Sequence, residues 1–376
     1  MKNEEIEYEE DKEVAENKLS DGNITNPFST KDIKVTNATI ALSSLISRLE
    51  HDEIDLNPDF QRNELLWDRT KMSRLVESIL LKLPLPVFYF DVSNPDRWIV
   101  VDGLQRLSTL KKFVVDKKLK LYNLEFLTNL NDSNYEVLDR NLKRIIDETQ
   151  IVTYQIEAQT PKEVRYSIFN RINTGGLSLN AQEIRQALNQ KGVGVKFLKE
   201  VCETNDFKNI VGVSSKRMLD RELVLRFVAF KLTNYKEFTF NNMGDFLDKT
   251  MEKLDEITDA EQLSNMKSDL IETLIFSEKI LGDKHRFSRS IANGNKTKTL
   301  NRSLYDVITV CFSELKNKDL FLTNKGIFIN KFKSLLENET SVFSKSITEG
   351  TSSRNAIETR FNIMNTLIQE VLNEEN

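Results

Sequence analysis

The spacing of apolar positions changes character near residue 157. Before that point, Val87-Phe88-Tyr89-Phe90 and Trp98-Ile99-Val100-Val101 are unbroken apolar runs joined by the turn Ser93-Asn94-Pro95-Asp96, a pattern that predicts two paired strands. A third strand is predicted over residues 151–156, and a short one at Ile54-Asp55-Leu56, stopped by Pro58. Between them, Leu42, Leu45, Ile46 and Leu49, and then Met72, Leu75, Val76, Ile79 and Leu80, recur at helical spacing. Thr70 is placed to cap the second of these helices, and Pro84 and Pro86 force an extended exit from it. After residue 157 the period is helical throughout. Thr160-Pro161-Lys162-Glu163 and Asn180-Ala181-Gln182-Glu183 both read as capping boxes, and helical periodicity covers 217–232, 243–257, 261–281, 301–316 and 354–373. The expected fold class is therefore α+β: a small α+β domain over 33–158 followed by an α-helical domain over 159–376. Residues 1–32 are charged, poor in apolar residues and without period, as expected of a disordered acidic tail.

Composition narrows the chemistry. The chain has 376 residues, 39% of them hydrophobic, and its mean hydropathy is −0.43. No apolar run approaches the ~20 residues of a membrane helix, and the acidic start does not resemble a secretory signal. With Cys202 and Cys311 as the only cysteines, a cytoplasmic setting is expected rather than a disulfide framework. His51 and His285 are the only histidines, which argues against zinc and against an HNH-type nuclease motif; a metal here would be Mg²⁺ on carboxylates and phosphate oxygens. The net charge of −5 hides an asymmetry. Residues 1–30 hold nine acids and three bases, −6 in all, so the remainder is +1 and does not exclude a nucleic-acid partner.

The most informative stretch is Trp98-Ile-Val-Val-Asp-Gly-Leu-Gln-Arg-Leu-Ser-Thr-Leu. An apolar strand breaks at Asp102-Gly103 and a helix starts at once, where unpaired backbone N–H groups favour anions. Leu104, Leu107 and Leu110 are expected to face the core, leaving Gln105, Arg106 and Thr109 on the other face beside the Asp102 carboxylate. Such a set can hold a phosphate and its metal. The pattern equally fits a plain helix cap at Asp102 with Gln105 and Arg106 in solvent.

Three other segments carry candidate chemistry. Asn57-Pro58-Asp59-Phe60-Gln61-Arg62, followed by Trp67, offers a phosphate-binding Gln61–Arg62 pair and a stacking ring, or simply an aromatic anchor. Asn170-Arg171-Ile172-Asn173-Thr174-Gly175-Gly176 reads as an anion nest or as a helix C-cap and tight turn. Lys284, Arg286, Arg289, Lys296 and Lys298 crowd a segment containing one acid, Asp283, as a DNA-backbone contact or a solvated loop would.

Taken in order, Asn-Pro-Asp-Phe-Gln-Arg (57–62) with Trp67, Leu-Pro-Leu-Pro (83–86), Val-Asp-Gly-Leu-Gln-Arg-Leu-Ser-Thr-Leu (101–110) and Phe-Asn-Arg-Ile-Asn-Thr-Gly-Gly (169–176) resemble the N-terminal domain of GmrSD-type restriction endonucleases. Arg217-Met218-Leu219-Asp220-Arg221-Glu222 is similar to a stretch of that family's helical extension. The resemblance implies a ParB/sulfiredoxin-like core and NTP-dependent restriction of foreign or modified DNA by a cytoplasmic prokaryotic protein engaged in anti-phage defence. Which NTP is used, which DNA is read and the oligomeric state are left open. On the family's Asp-Gly-Gln-Gln-Arg signature, Asp102, Gln105 and Arg106 take the catalytic places, with Asp102 toward Mg²⁺. Gln61, Arg62, Gly103, Thr109, Asn170, Arg171, Asn173 and Thr174 would surround nucleotide or phosphate. Leu104 stands where the signature has its first Gln. That departure, and the scarcity of histidine, keep a second class open: a non-catalytic sensor or adaptor that recruits a separate nuclease subunit. Sulfiredoxin chemistry is excluded, since no cysteine lies near 102–106.

Overall fold

The computed structural model describes residues 33–56, 67–172, 180–189, 192–282, 287–292 and 299–374. Within them the chain forms two compact units that divide between residues 188 and 189. The helical residues 162–188 cluster with the strands, whereas the change of apolar period had put the boundary at 158/159.

The first unit is built on a five-stranded mixed sheet of β1 (Val35–Ala41), β2 (Ile54–Asp55), β3 (Phe88–Asp91), β4 (Trp98–Asp102) and β5 (Gln150–Ile156), in the order β1-β5-β3-β4-β2. β1 pairs antiparallel with β5, β5 parallel with β3, β3 antiparallel with β4, and β4 parallel with β2. Both faces are covered, which is why β3 and β4 read as continuous apolar runs instead of alternating ones. On one face Phe88, Phe90, Trp98 and Val100 pack with α1 (Leu42–Glu50), α2 (Arg69–Leu80), α3 (Leu104–Leu110) and α4 (Arg140–Glu148). On the other, Val101 and Ile156 pack with Phe169 of α5 (Lys162–Ile172) and Ile184 of α6 (Ala181–Leu188).

The Asn180–Glu183 box is reciprocal, with Asn180 N–H donating to Glu183 Oε2 at 2.6 Å and Glu183 N–H donating to Asn180 Oδ1 at 2.8 Å. Thr160 instead bonds the Lys34 backbone, accepting from its N–H at 3.1 Å and donating to its carbonyl at 3.0 Å, so its hydroxyl locks the entry to β1. The cap of α2 is Asp68, which accepts from Lys71 N–H at 2.8 Å, and not Thr70.

The second unit is all-helical. Its core centres on α9 (Leu219–Leu232) and α12 (Arg302–Ser313), joined by α11 (Ala260–Leu281) and α16 (Arg354–Asn373); α7 (Val193–Cys202), α8 (Asn205–Val211), α10 (Met243–Glu256), α13 (Lys318–Thr323), α14 (Lys325–Glu337) and α15 (Val342–Ser346) complete it. Inside lies a buried ion cluster. Arg226 grips Asp306 with Nε at 2.9 Å and Nη2 at 2.6 Å, and fully buried Arg360 approaches the same carboxylate at 3.8 Å. Among the described residues no helix is long and apolar enough to cross a membrane.

Candidate phosphate site at the end of the fourth strand

β4 delivers Asp102 to the rim of the sheet through an irregular ladder. Asp91 faces Ile99 and Phe90 faces Val100, but Tyr89 faces Asp102, so Val101 is an extra residue on β4. A bulge of this kind re-aims the following side chain. Gly103 then turns the chain with φ 105°, in the left-handed region. A Cβ there would lie 2.4 Å from Phe88 Cδ1, so conformation and space both require glycine.

Arg106, one turn into α3, does not face solvent as its charge led us to expect. It is buried, and its guanidinium donates to the Pro86 carbonyl, to the Val87 carbonyl at 3.0 Å and to Asp102 Oδ2 at 2.9 Å. The same group sits 4.3 Å from the Phe88 ring centroid. Burial pulls the Arg106 pKa below its ordinary value, while the Asp102 charge pushes it back up. An arginine so placed stays cationic at neutral pH and acts as a clamp joining the entry to β3 to the exit from β4.

Asp102 is the exposed partner of the pair, its side chain 44% accessible against 9% for Arg106. It does not cap α3: Gly103 holds the N-cap position and no side-chain cap bond forms. Leu107 and Leu110 are wholly buried and Leu104 packs on the same core, as their spacing predicted. Gln105 is half-buried. Thr109 is corrected from a site residue to an interior one, fully buried with its hydroxyl donating to the Gln105 carbonyl at 2.8 Å.

Of the other candidates, Gln61, Arg62, Asn173, Thr174, Lys284, Arg286, Lys296 and Lys298 lie outside the described residues, as does the side chain of Asn170. Arg171 is exposed near the end of α5, and Trp67 packs against the first core. Arg289, from the basic segment, lies 3.5 Å from Glu339. The residues missed in the sequence are Pro86, Val87 and Phe88. The first two supply carbonyls to the clamp and the third its floor; the sequence marks them only as an extended entry into a strand.

Residues 42–189 match the family model described as GmrSD restriction endonuclease, N-terminal domain. The match contains the whole Asp102–Arg106 turn and stops at the end of the sheet unit. Over this segment the chain is similar to the GmrSD-type N-terminal domain. No curated protein and no solved structure gives a significant match.

Proposed function

We propose that the chain is an NTP-dependent component of a DNA restriction system, acting against foreign or modified DNA, and that the Asp102 turn is its phosphate-handling site. The observation that carries this reading is the asymmetry of the Arg106–Asp102 pair: a buried guanidinium fixes a half-exposed carboxylate at a strand end. A clamp of that form orients an acid before any ligand arrives, as charge-stabilising catalysis requires.

The donor set fits Mg²⁺ shared with a nucleotide. No group of three or more His, Cys, Asp or Glu side chains able to hold a metal occurs among the described residues, and Mg²⁺ is commonly held by one or two carboxylates with substrate phosphates and water. Asp102 is the carboxylate that would hold it. The cation, when bound, supplies charge neutralisation of phosphate oxygens. Gln105 would supply a donor to a phosphate oxygen, and Arg106 is a positioning residue, since its donors go to Pro86, Val87 and Asp102.

The sensor or adaptor reading keeps one observation of its own. Leu104, in place of the signature's first Gln, packs its side chain on the core and contributes no polar group to the turn. With two histidines in the sequence, DNA cleavage on either reading falls to a site without an HNH motif or to a separate nuclease subunit. Hydrolysis of each NTP in Mg²⁺ by the purified chain and by Asp102→Ala separates the two. Loss of turnover in the variant is expected for the enzyme; absence of turnover in the wild type leaves the adaptor.

A further inference from the structure

One stripe of α2 is spent on bracing a loop. Arg69 Nε donates to the Lys120 carbonyl at 2.8 Å; Ser73 Oγ accepts from Tyr122 N–H at 2.9 Å; Glu77 accepts from the N–H groups of Glu125, Phe126 and Leu127 at 3.1, 2.7 and 2.8 Å. These three residues are spaced by four, so they form one line along the helix. Ser73 and Glu77 are buried, and Arg74 adds an ion pair to Glu125. Lys117, Asn123 and Asp132 all adopt left-handed backbone conformations, with φ 55°, 51° and 64°. Such conformations are uncommon in non-glycine residues and persist where surrounding contacts impose them.

The loop buries Leu119, Leu121 and Leu124 in the core of the unit, but its aromatic rings stay outside. Phe126 is 71% exposed and Tyr122 50% exposed, the former more than any other large apolar residue described. Cations lie in the same loop and on α2. Lys71, Lys118 and Lys120 are exposed and enter no ion pair among the described residues, and the Arg69 guanidinium lies 5.0 Å from the Tyr122 ring. Solvent-facing aromatics on a braced loop that also carries exposed lysines, with its acids Glu125 and Asp132 paired to Arg74 and Arg69, match a nucleic-acid strand with unstacked bases, whose bases stack on rings while its phosphates meet ammonium groups. A protein partner would call for a contiguous apolar patch depleted of lysine.

We infer that the loop over residues 117–132 is a single-stranded DNA contact, with bases stacking on Phe126 and Tyr122 and phosphates on Lys71, Lys118 and Lys120. The inference rests on the restriction reading for its choice of DNA, but not on NTP hydrolysis. In fluorescence anisotropy with the full chain and labelled single-stranded and duplex oligonucleotides, the single strand should bind more tightly. Phe126→Ala should weaken it about ten-fold or more, and Phe126→Trp should retain it. Lys118→Glu with Lys120→Glu should flatten the dependence of log affinity on log salt by about 1.4, two contacts' worth for a single strand. Because Phe126 is exposed, its variants should keep the wild-type unfolding midpoint. Three results would overturn the inference: no single-strand binding by the wild type, equal binding by Phe126→Ala, or a change of self-association in Phe126→Ala with DNA binding intact. Hydrolysis by wild type against Asp102→Ala, measured without DNA, tests the NTP reading separately, so either can fail alone.

Discussion

Arg106 Nη2 lies 2.9 Å from Asp102 Oδ2, and the two residues share one ion pair while living in different solvents, one in the core and one at the rim. Removing either side should therefore have different consequences. Arg106→Ala empties a buried position and leaves the Pro86 and Val87 carbonyls without their donor, and should cost about 2 kcal/mol of stability in urea unfolding. Asp102→Ala leaves Arg106 with both carbonyls and a water-accessible flank, so it should cost about 1 kcal/mol yet abolish NTP hydrolysis. Equal stability losses would contradict the clamp, and unchanged hydrolysis would contradict the role of the acid.

Gly103→Ala meets two penalties at once, a left-handed backbone and a collision with Phe88. A loss of about 2–4 kcal/mol is expected, visible as a lower urea midpoint with an unchanged slope. If the variant unfolds like the wild type, the turn does not have the described geometry.

Glu77 links acidity to the braced loop. Burial pushes its carboxyl up, but the N–H groups of Leu127, Glu125 and Phe126 and the Arg74 charge outweigh that and hold it below its usual 4.5. A depressed carboxylate contributes stability that is fully present above about pH 4.5 and is lost as pH falls through the lower folded value. Glu77→Gln should therefore be less stable at pH 7, with faster hydrogen exchange at amides 125–127, and should lose the wild type's stability change below pH 4.5. Slow exchange at those amides in the variant would refute the anchoring role.

In the helical unit, Asp306 sits between Arg226 and Arg360 with no exposure of its own. Asp306→Ala strands buried guanidinium charge and should cost about 3–5 kcal/mol. Thermal unfolding followed by circular dichroism reads this directly; a shift within the error of the wild type would show that the cluster is solvated.

How far these features could be read from sequence depended on the range of the interactions. The strands at 87–90 and 98–101 and the Asn180 capping box are set by neighbours a few residues away, and periodicity found them. Asp68 and Thr70 are both capping types two residues apart, and local pattern alone could not rank them. Arg106 was misplaced because a charged residue on a short helix ordinarily faces water; its partners, Pro86 and Val87, lie 20 and 19 residues upstream. Glu77 was invisible for the same reason, its acceptors being satisfied 48 to 50 residues downstream. The placement of α5 and α6 on the sheet follows from Phe169 and Ile184 meeting Val101 and Ile156, a contact that no helical period announces.

The extra residue at Val101 makes the position of Asp102 a matter of counting. A register slip that absorbs Val101 into an even ladder with β3, with no residue removed, would bring Asp102 opposite Phe88 instead of Tyr89, turning the acid toward the opposite face of the sheet. Every side chain of the turn would still be present in the sequence. A motif search would pass such a chain, yet its acid would sit over the wrong layer. In this domain a one-residue register slip in one strand can therefore silence the proposed site more completely than a conservative substitution within the signature itself.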